Sequence, residues 1–163
     1  LLPVVEAAND QPTADLLTET ERAARSLGLQ LHVVEVREPK DFDGAFTTIK
    51  SNGLPALLVI ADPLVNENRG RIVGFAATNR LPAIYPYRTF VDAGGLMSYG
   101  TDRRDLFRRA ATYVHRILNG ARPGDLAVEP PTKFELAINL KTARALGLTI
   151  PPGLLQRADY IVE

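Results

Sequence analysis

The sequence predicts an α/β fold built on a doubly wound parallel sheet. Predicted strands and helices alternate along the chain with a repeat of about 25 to 30 residues. The segment Leu54–Ala61 is almost continuously apolar, which is typical of a central parallel strand covered by helices on both faces. The chain has 163 residues, 45% of them hydrophobic, and this is enough for the core of one domain or large lobe.

Hydrophobic periodicity predicts the first two strands and the helix between them. A strand over Leu1–Ala8 precedes a helix that begins near Thr13, and Leu29–Val36 is rich enough in β-branched residues for a second strand. Gly28 suits the left-handed backbone conformation that ends a helix. The predicted inward face of this helix consists of Leu16, Thr20, Ala23 and Leu27.

Of the next two predicted helices, one precedes the apolar strand in the sequence and the other follows it. The first has Asp41 as its predicted N-cap and is stopped at Gly53; the second is predicted over Asn66–Asn79, before a fourth strand at Leu81–Tyr85. The apolar residues predicted to face inward from these helices are Phe42, Ala45, Phe46, Ile49, Ile72, Phe75 and Ala76.

Beyond the fourth strand the elements are less regular. A short helix is predicted over Arg88–Ala93 and a short strand over Leu96–Tyr99, with a break at Gly94-Gly95 between them. A longer helix follows from a cap at Thr101/Asp102 to Asn119-Gly120. The remaining predicted elements are a proline-rich connection over 121–132, a half-buried strand at Phe134–Asn139, a short helix at Lys141–Leu146 and a tail from Pro151.

Composition excludes several classes of function. Lys plus Arg and Asp plus Glu number 19 each, so we expect no nucleic-acid partner and favour a small neutral or zwitterionic one. The absence of Cys excludes disulfides, thiolate catalysis and zinc sites with Cys ligands. The longest apolar runs fall far short of the roughly 18 residues that span a bilayer. The chain begins at Leu1 without a signal segment, and we expect that an upstream part has been removed.

The sequence offers no recognisable catalytic set, so we predict a protein that is not an enzyme and needs no cofactor or metal. Its two histidines, His32 and His115, are expected to be structural or solvent-exposed. No nucleophile elbow, zinc-protease motif or phosphate loop is present, and the pair Gly94-Gly95 is better explained as a turn. The charged segment 102–109 mixes acids and bases at a helix start, which favours a solvated face with capping charges.

The candidate ligand-binding residues lie where predicted strands end, because open α/β sheets bind ligands at the carboxyl ends of their strands. Carboxylates and amides there can hold an ammonium group, hydroxyls and helix-start amides can hold a carboxylate, and tyrosine rings give apolar stacking surface. Turn formation or helix capping is the alternative explanation for each residue. The candidates are Asn9, Asp10, Asp62, Tyr85, Ser98 and Tyr99.

Four segments give the sequence a family resemblance. They are GGLMSYG at Gly94–Gly100, LFRRAATYVHRIL in the predicted long helix, GARPGDLAVEPPTKFEL in the connection, and INLKTARALGLTIPP near the end. Together they closely resemble the C-terminal half of the ABC transporter substrate-binding protein family that includes the tryptophan-binding TrpX-like proteins. A weaker resemblance extends over Ala23–Asp62.

The resemblance implies one lobe of a type I periplasmic-binding, or Venus flytrap, fold. Residues 1–100 would form the second α/β lobe and residues 101–163 the crossover helix, hinge strand and tail, while the N-terminal lobe is absent from this chain. The implied function is extracytoplasmic or periplasmic capture of a small solute by lobe closure, for delivery to an ABC permease. An aromatic or apolar amino acid is the implied ligand, with Asp62 where relatives have an acidic residue. The missing lobe, or a second copy of the chain, would cover the crossover helix.

Two other functions stay open at this point. The same lobe pair could report a ligand to a signalling partner, as the sensory domain of a regulator. A small flavodoxin-like enzyme would instead need a glycine-rich cofactor loop after the first strand, and residues 7–12 contain no glycine.

Overall fold

Seven strands form one sheet in the part of the chain that the structure, a computed structural model, describes. It describes residues 2–7 and 11–163, with side chains from residue 15 onward. The strands are β1 (Leu2–Ala7), β2 (Leu31–Val36), β3 (Leu57–Val59), β4 (Ala83–Tyr85), β5 (Met97–Thr101), β6 (Phe134–Asn139) and β7 (Tyr160–Val162). Their order in the sheet is β2-β1-β3-β4-β5-β6-β7.

Strands β1 to β5 are mutually parallel, which confirms the predicted doubly wound α/β sheet. Strand β6 then runs antiparallel to β5, and β7 runs parallel to β6. The helices are α1 (Gln11–Ser26), α2 (Asp41–Ser51), α3 (Pro63–Glu67), α4 (Arg69–Thr78), α5 (Arg88–Asp92), α6 (Arg103–Leu118), α7 (Leu140–Leu146) and α8 (Pro152–Leu155). One turn of 3₁₀-helix spans Pro123–Asp125.

The hydrophobic core lies between strands β2 to β4 and helices α2 to α5. The side chains of Val36, Phe42, Val65, Ile72 and Phe90 are fully buried there. All of them are apolar and come from different elements, so burying them fixes the helices against the sheet.

The predicted helix over Asn66–Asn79 is wrong in its start and in its continuity. The structure has two helices, α3 and α4, because Asp62 caps a helix that begins at Pro63, the residue type favoured at the first helical position. Asn68 ends α3: its side-chain amide donates to the Leu64 carbonyl oxygen at 2.8 Å, and its backbone leaves the helical region. Two residues predicted to face inward, Ile72 and Ala76, are buried in α4.

The predicted capping role of Asp41 is also wrong. Lys40 occupies the N-cap position of α2, and Asp41 lies in the first turn. Its carboxylate accepts backbone N–H groups from residues before the helix, Arg37 at 2.9 Å and Glu38 at 3.0 Å. These hydrogen bonds lower the pKa of Asp41, since they favour the charged form.

Phe75 lies only partly in the core. Its ring stacks on the ring of Phe46, with centroids 4.2 Å apart and planes 6° apart. The two rings join α2 to α4 at the rim of the core.

None of the described helices is both long and apolar enough to cross a bilayer.

Candidate ligand-binding site at the carboxyl edge of the sheet

A pocket of about 290 Å³ opens at the edge where β4 and β5 end. The loop between β4 and α5, the end of β5, the start of α6 and the start of β6 all contribute to it. Its lining residues are Tyr87, Arg88, Thr89, Asp92, Thr101, Asp102, Arg103, Arg104, Phe107 and Glu135. This is the edge at which open α/β sheets bind ligands.

Glycines hold β5 close to the β4–α5 loop on one side of the pocket. A Cβ atom on Gly100 would lie 2.0 Å from the carbonyl oxygen of Pro86, and one on Gly95 would lie 2.6 Å from Cε2 of Tyr85. Gly94 has a φ of +102°, which other residues rarely adopt. The glycines of the GGLMSYG segment therefore allow the ends of β4 and β5 to pack closely together.

Arg88 links three elements at the floor of the pocket. Its Nε lies 3.5 Å from Oδ2 of Asp92 in α5, and its Nη1 lies 3.5 Å from Oε2 of Glu135 in β6. Its guanidinium carbon also lies over the ring of Tyr160 in β7, 4.5 Å from the centroid. The Arg88 side chain is 24% exposed, and these contacts hold the β4–α5 loop against the last two strands.

The start of α6 forms the opposite wall. The Asp102 carboxylate accepts the backbone N–H groups of Arg104 at 2.9 Å and Asp105 at 3.2 Å, which confirms the predicted cap. The guanidinium carbon of Arg103 lies over the Tyr87 ring, 5.2 Å from the centroid. An arginine and an aromatic ring therefore lie side by side along this wall.

The four predicted site residues that the structure describes do not line this pocket. Asn9 and Asp10 lie outside the described residues. The carboxylate of Asp62 is buried and accepts the Leu64 N–H at 2.7 Å, so it caps α3. The ring of Tyr85 lies in the core, stacked on Phe90 with centroids 5.0 Å apart.

The two predicted residues of β5 differ sharply in exposure. Ser98 is only 1% exposed, and its Oγ has no hydrogen-bond partner among the described residues. Tyr99 is 54% exposed, and its ring stacks on Phe134 with centroids 5.8 Å apart. Tyr99 is therefore accessible on the surface, although it does not line the pocket, whereas Ser98 is buried.

Several pocket residues were missed by the sequence reasoning. Tyr87 and Arg88 follow β4 by two and three residues, and the Tyr-Pro-Tyr-Arg run could have pointed to them as loop residues at the carboxyl edge. Arg103 and Arg104 were interpreted as a solvated helix face, and they are indeed exposed. The position of Arg103 over the Tyr87 ring depends on tertiary packing, so the local pattern gave no indication of it.

Burial of Tyr85 predicts a loss of stability in alkali. Burial raises the pKa of Tyr85 above its usual value near 10, because an apolar environment disfavours the phenolate. Above about pH 10 the unfolded chain therefore binds fewer protons than the folded one, and stability falls by up to about 1.4 kcal/mol per pH unit. We expect Tyr85→Phe to lose less stability than the wild type between pH 9 and 11, as measured by urea unfolding. Equal losses would contradict this.

Helix α6 presents a second surface of interest. Some of its apolar side chains are exposed to solvent, and others are partly covered by the 121–132 connection. Phe107 is 70% exposed and Leu118 is 81% exposed. On its other side, α6 packs on the 121–132 connection: the Tyr113 hydroxyl donates to the Ala127 carbonyl oxygen at 2.7 Å, and Arg109 pairs with Glu129. Exposed large apolar side chains of this kind on an amphipathic helix are typical of a protein–protein or lobe–lobe interface.

The family model described as ABC transporter substrate binding protein matches residues 4–162. No curated protein shows significant similarity to the chain. Among solved structures, a conserved domain protein from Vibrio cholerae is 25% identical, with a TM-score of 0.90. It covers 98% of this chain, while the chain covers 54% of that protein.

Two further solved structures share the fold. An ABC domain in complex with L-Trp from Streptococcus pneumoniae is 23% identical over 99% of the chain, with a TM-score of 0.92. A ligand-free, open substrate-binding protein with adhesive properties from Clostridium difficile is 17% identical over 99% of the chain, with a TM-score of 0.68. The chain spans 54% of each, about half the length of the proteins it matches. Because the family model covers nearly all its residues, the chain belongs to the ABC transporter substrate-binding protein family.

Proposed function

We propose that the chain is one lobe of an extracytoplasmic solute-binding protein that serves an ABC importer. The observation that carries this proposal is the pocket at the carboxyl edge of the sheet, which is bordered by the segments that would join two lobes. Family membership supports a solute-binding role, and the family is usually extracytoplasmic. Binding and lobe closure need no chemical step.

The hinge consists of two chain segments that run side by side at the pocket. The backbone N–H of Asp102 donates to the carbonyl oxygen of Lys133 at 3.0 Å, where β5 leads into α6 and the connection returns to β6. The Nζ of Lys133 also lies 3.1 Å from Oδ1 of the buried Asp105. In this proposal residues 1–100 form the second lobe, residues 101–163 supply the crossover helix, hinge strand and tail, and rotation about the paired segments opens and closes the pocket.

The partner of α6 is proposed to be the other lobe of the complete protein. Phe107, Val114 and Leu118 are exposed along α6, and Val128 of the connection is 99% exposed. The chain spans 54% of the solved proteins that it resembles, so those proteins have room for a second lobe. The alternative is that a second copy of the chain covers this face of α6. In that case the chain alone would sediment as a dimer.

The ligand is proposed to be a small molecule with an apolar or aromatic part, of which an aromatic amino acid is one candidate. Tyr87 and Phe107 provide aromatic surface at the pocket, and the guanidinium carbon of Arg103 lies over the Tyr87 ring. Ligand contacts with two lobes would favour the closed form, which the permease would then recognise.

Calorimetric titration tests the proposed function. A panel of amino acids, nucleosides and aromatic acids is titrated into the 163-residue chain and into a longer protein that includes the first lobe. We expect one compound to bind the longer protein at least about tenfold more tightly, a difference of about 1.4 kcal/mol, because the chain supplies only half of the contacts. Equal affinities would contradict the proposal that this chain supplies only half of the ligand contacts. If no compound of the panel bound to either protein, the solute-binding role would be contradicted.

A further inference from the structure

In the pocket at the carboxyl edge, the acidic side chains have hydrogen-bond or ion-pair partners, whereas two of the basic ones have no carboxylate partner among the described residues. Its carboxylates already have partners: Asp92 and Glu135 flank Arg88, and Asp102 caps α6. By contrast, no carboxylate of the described side chains forms an ion pair with Arg103 or Arg104. Two guanidinium groups are therefore free to bind an anion from solvent.

The position of these arginines suits a carboxylate. Arg103 is oriented by its contact with the Tyr87 ring, at 5.2 Å from the ring centroid. Guanidinium groups bind carboxylates with two parallel hydrogen bonds, and the 16-residue helix α6 directs its positive end toward the same place. The hydroxyls of Thr89 and Thr101 line the pocket as further donors.

The carboxylates that line the pocket are less available to an ammonium ion than Arg103 and Arg104 are to an anion. A ligand cation would have to share one of the three lining carboxylates with Arg88 or with the start of α6. Drawing Asp92 or Glu135 away from Arg88 would weaken its ion pairs, and the Arg88 side chain is only 24% exposed. Among the described charged side chains that line the pocket, Arg103 and Arg104 are thus the ones without a partner of opposite charge.

We infer that this lobe binds the carboxylate of an organic acid through Arg103 and Arg104, with the Tyr87 ring beside the apolar part of the ligand. The inference rests on the proposed solute-binding function. It adds that the carboxylate is required on this lobe and that an amino group is not. If the ligand is an amino acid, its ammonium group is bound by the other lobe.

A matched ligand series tests this inference on the ¹⁵N-labelled chain by NMR titration. The probes are indole-3-propionate, which has only the carboxylate, tryptamine, which has only the ammonium group, and L-tryptophan, which has both. We expect indole-3-propionate and L-tryptophan to bind with dissociation constants within about threefold of each other, and tryptamine at least about tenfold more weakly. Resonances of Tyr87 and Thr101 should report the binding.

Two variants separate this role from a general effect of charge. The double substitution Arg103→Gln and Arg104→Gln should weaken indole-3-propionate binding at least about tenfold without changing tryptamine binding. Arg116→Gln, at the exposed opposite end of α6, is the matched control and should change neither. Resonances outside the pocket show whether each variant is folded.

The outcomes distinguish the inference from the function on which it rests. Tryptamine binding as tight as that of indole-3-propionate, or acid binding unaffected by the double substitution, would overturn the inference and leave solute binding standing. Failure of all three probes to perturb the pocket would also overturn it, and the calorimetric panel would then decide separately whether the protein binds any solute.

Discussion

Gly100→Ala is expected to destabilise the chain by about 3 kcal/mol or more, enough to threaten folding of a domain whose total stability is of the order of 5–15 kcal/mol. The new methyl group would lie 2.0 Å from the Pro86 carbonyl oxygen, far inside contact distance. The obstacle is a backbone atom rather than the end of a flexible side chain. Gly100 itself is held in the sheet opposite Glu135, so neither side can yield without breaking the pairing of β5.

Urea unfolding of Gly100→Ala and Gly74→Ala checks this expectation. Gly74 lies in the interior of α4, and nothing lies within 4 Å of a Cβ atom placed there. Alanine at that site should stabilise the chain by about 0.5–1 kcal/mol, because alanine loses less backbone entropy in a helix. The explanation fails if the free energy of unfolding of Gly100→Ala lies within about 0.5 kcal/mol of the wild-type value.

The fold class was predictable because its determinants are local. The apolar run around β3, the alternation of strands and helices, and the Asp102 cap of α6 all depend on residues close together in the chain. The division between α3 and α4 was missed although its determinants are equally local. Asp62-Pro63 is a helix-start pair, and the prediction began the helix after it because it followed the apolar periodicity of Ile72, Phe75 and Ala76.

The candidate site was predictable only as an edge of the sheet. The rule that ligands bind at the carboxyl ends of strands indicates the edge at which this pocket opens, but it does not say which side chains line the pocket. Successive strand residues point to opposite faces, and this pleat directs Tyr85 and Ser98 into the protein. The pocket is lined instead by Tyr87, a loop residue two positions after Tyr85.

Contacts between distant residues explain the rest of the difference. Arg88 and Glu135 are brought together only when β6 pairs with β5, and no pattern within either segment reports the other. The stacking of Arg103 on Tyr87 likewise requires α6 to start beside the β4–α5 loop. Such pairs follow from the topology, which a single sequence specifies only coarsely.

Phe90→Ala is expected to cost about 3–5 kcal/mol, the usual loss when a buried aromatic residue is truncated. Phe90 is 0% exposed, and its ring stacks on Tyr85 at 5.0 Å between centroids. Helix α5, which carries it, packs on β5 and β6 below the pocket. The variant therefore leaves a cavity under the floor of the site, where the neighbouring strands cannot collapse to fill it.

Phe107→Ala is the matched control, since it removes the same atoms from a side chain that is 70% exposed. In the chain alone it should change the free energy of unfolding by less than about 0.5 kcal/mol, because little apolar surface returns to water and alanine favours a helix. In a protein that also contains the first lobe, the same change should cost about 1 kcal/mol or more, since burial against that lobe would be lost. Urea unfolding of both variants in both proteins measures the four values. If Phe107→Ala were as costly as Phe90→Ala in the chain alone, α6 would already be packed within this lobe, and its face would not be available for a partner.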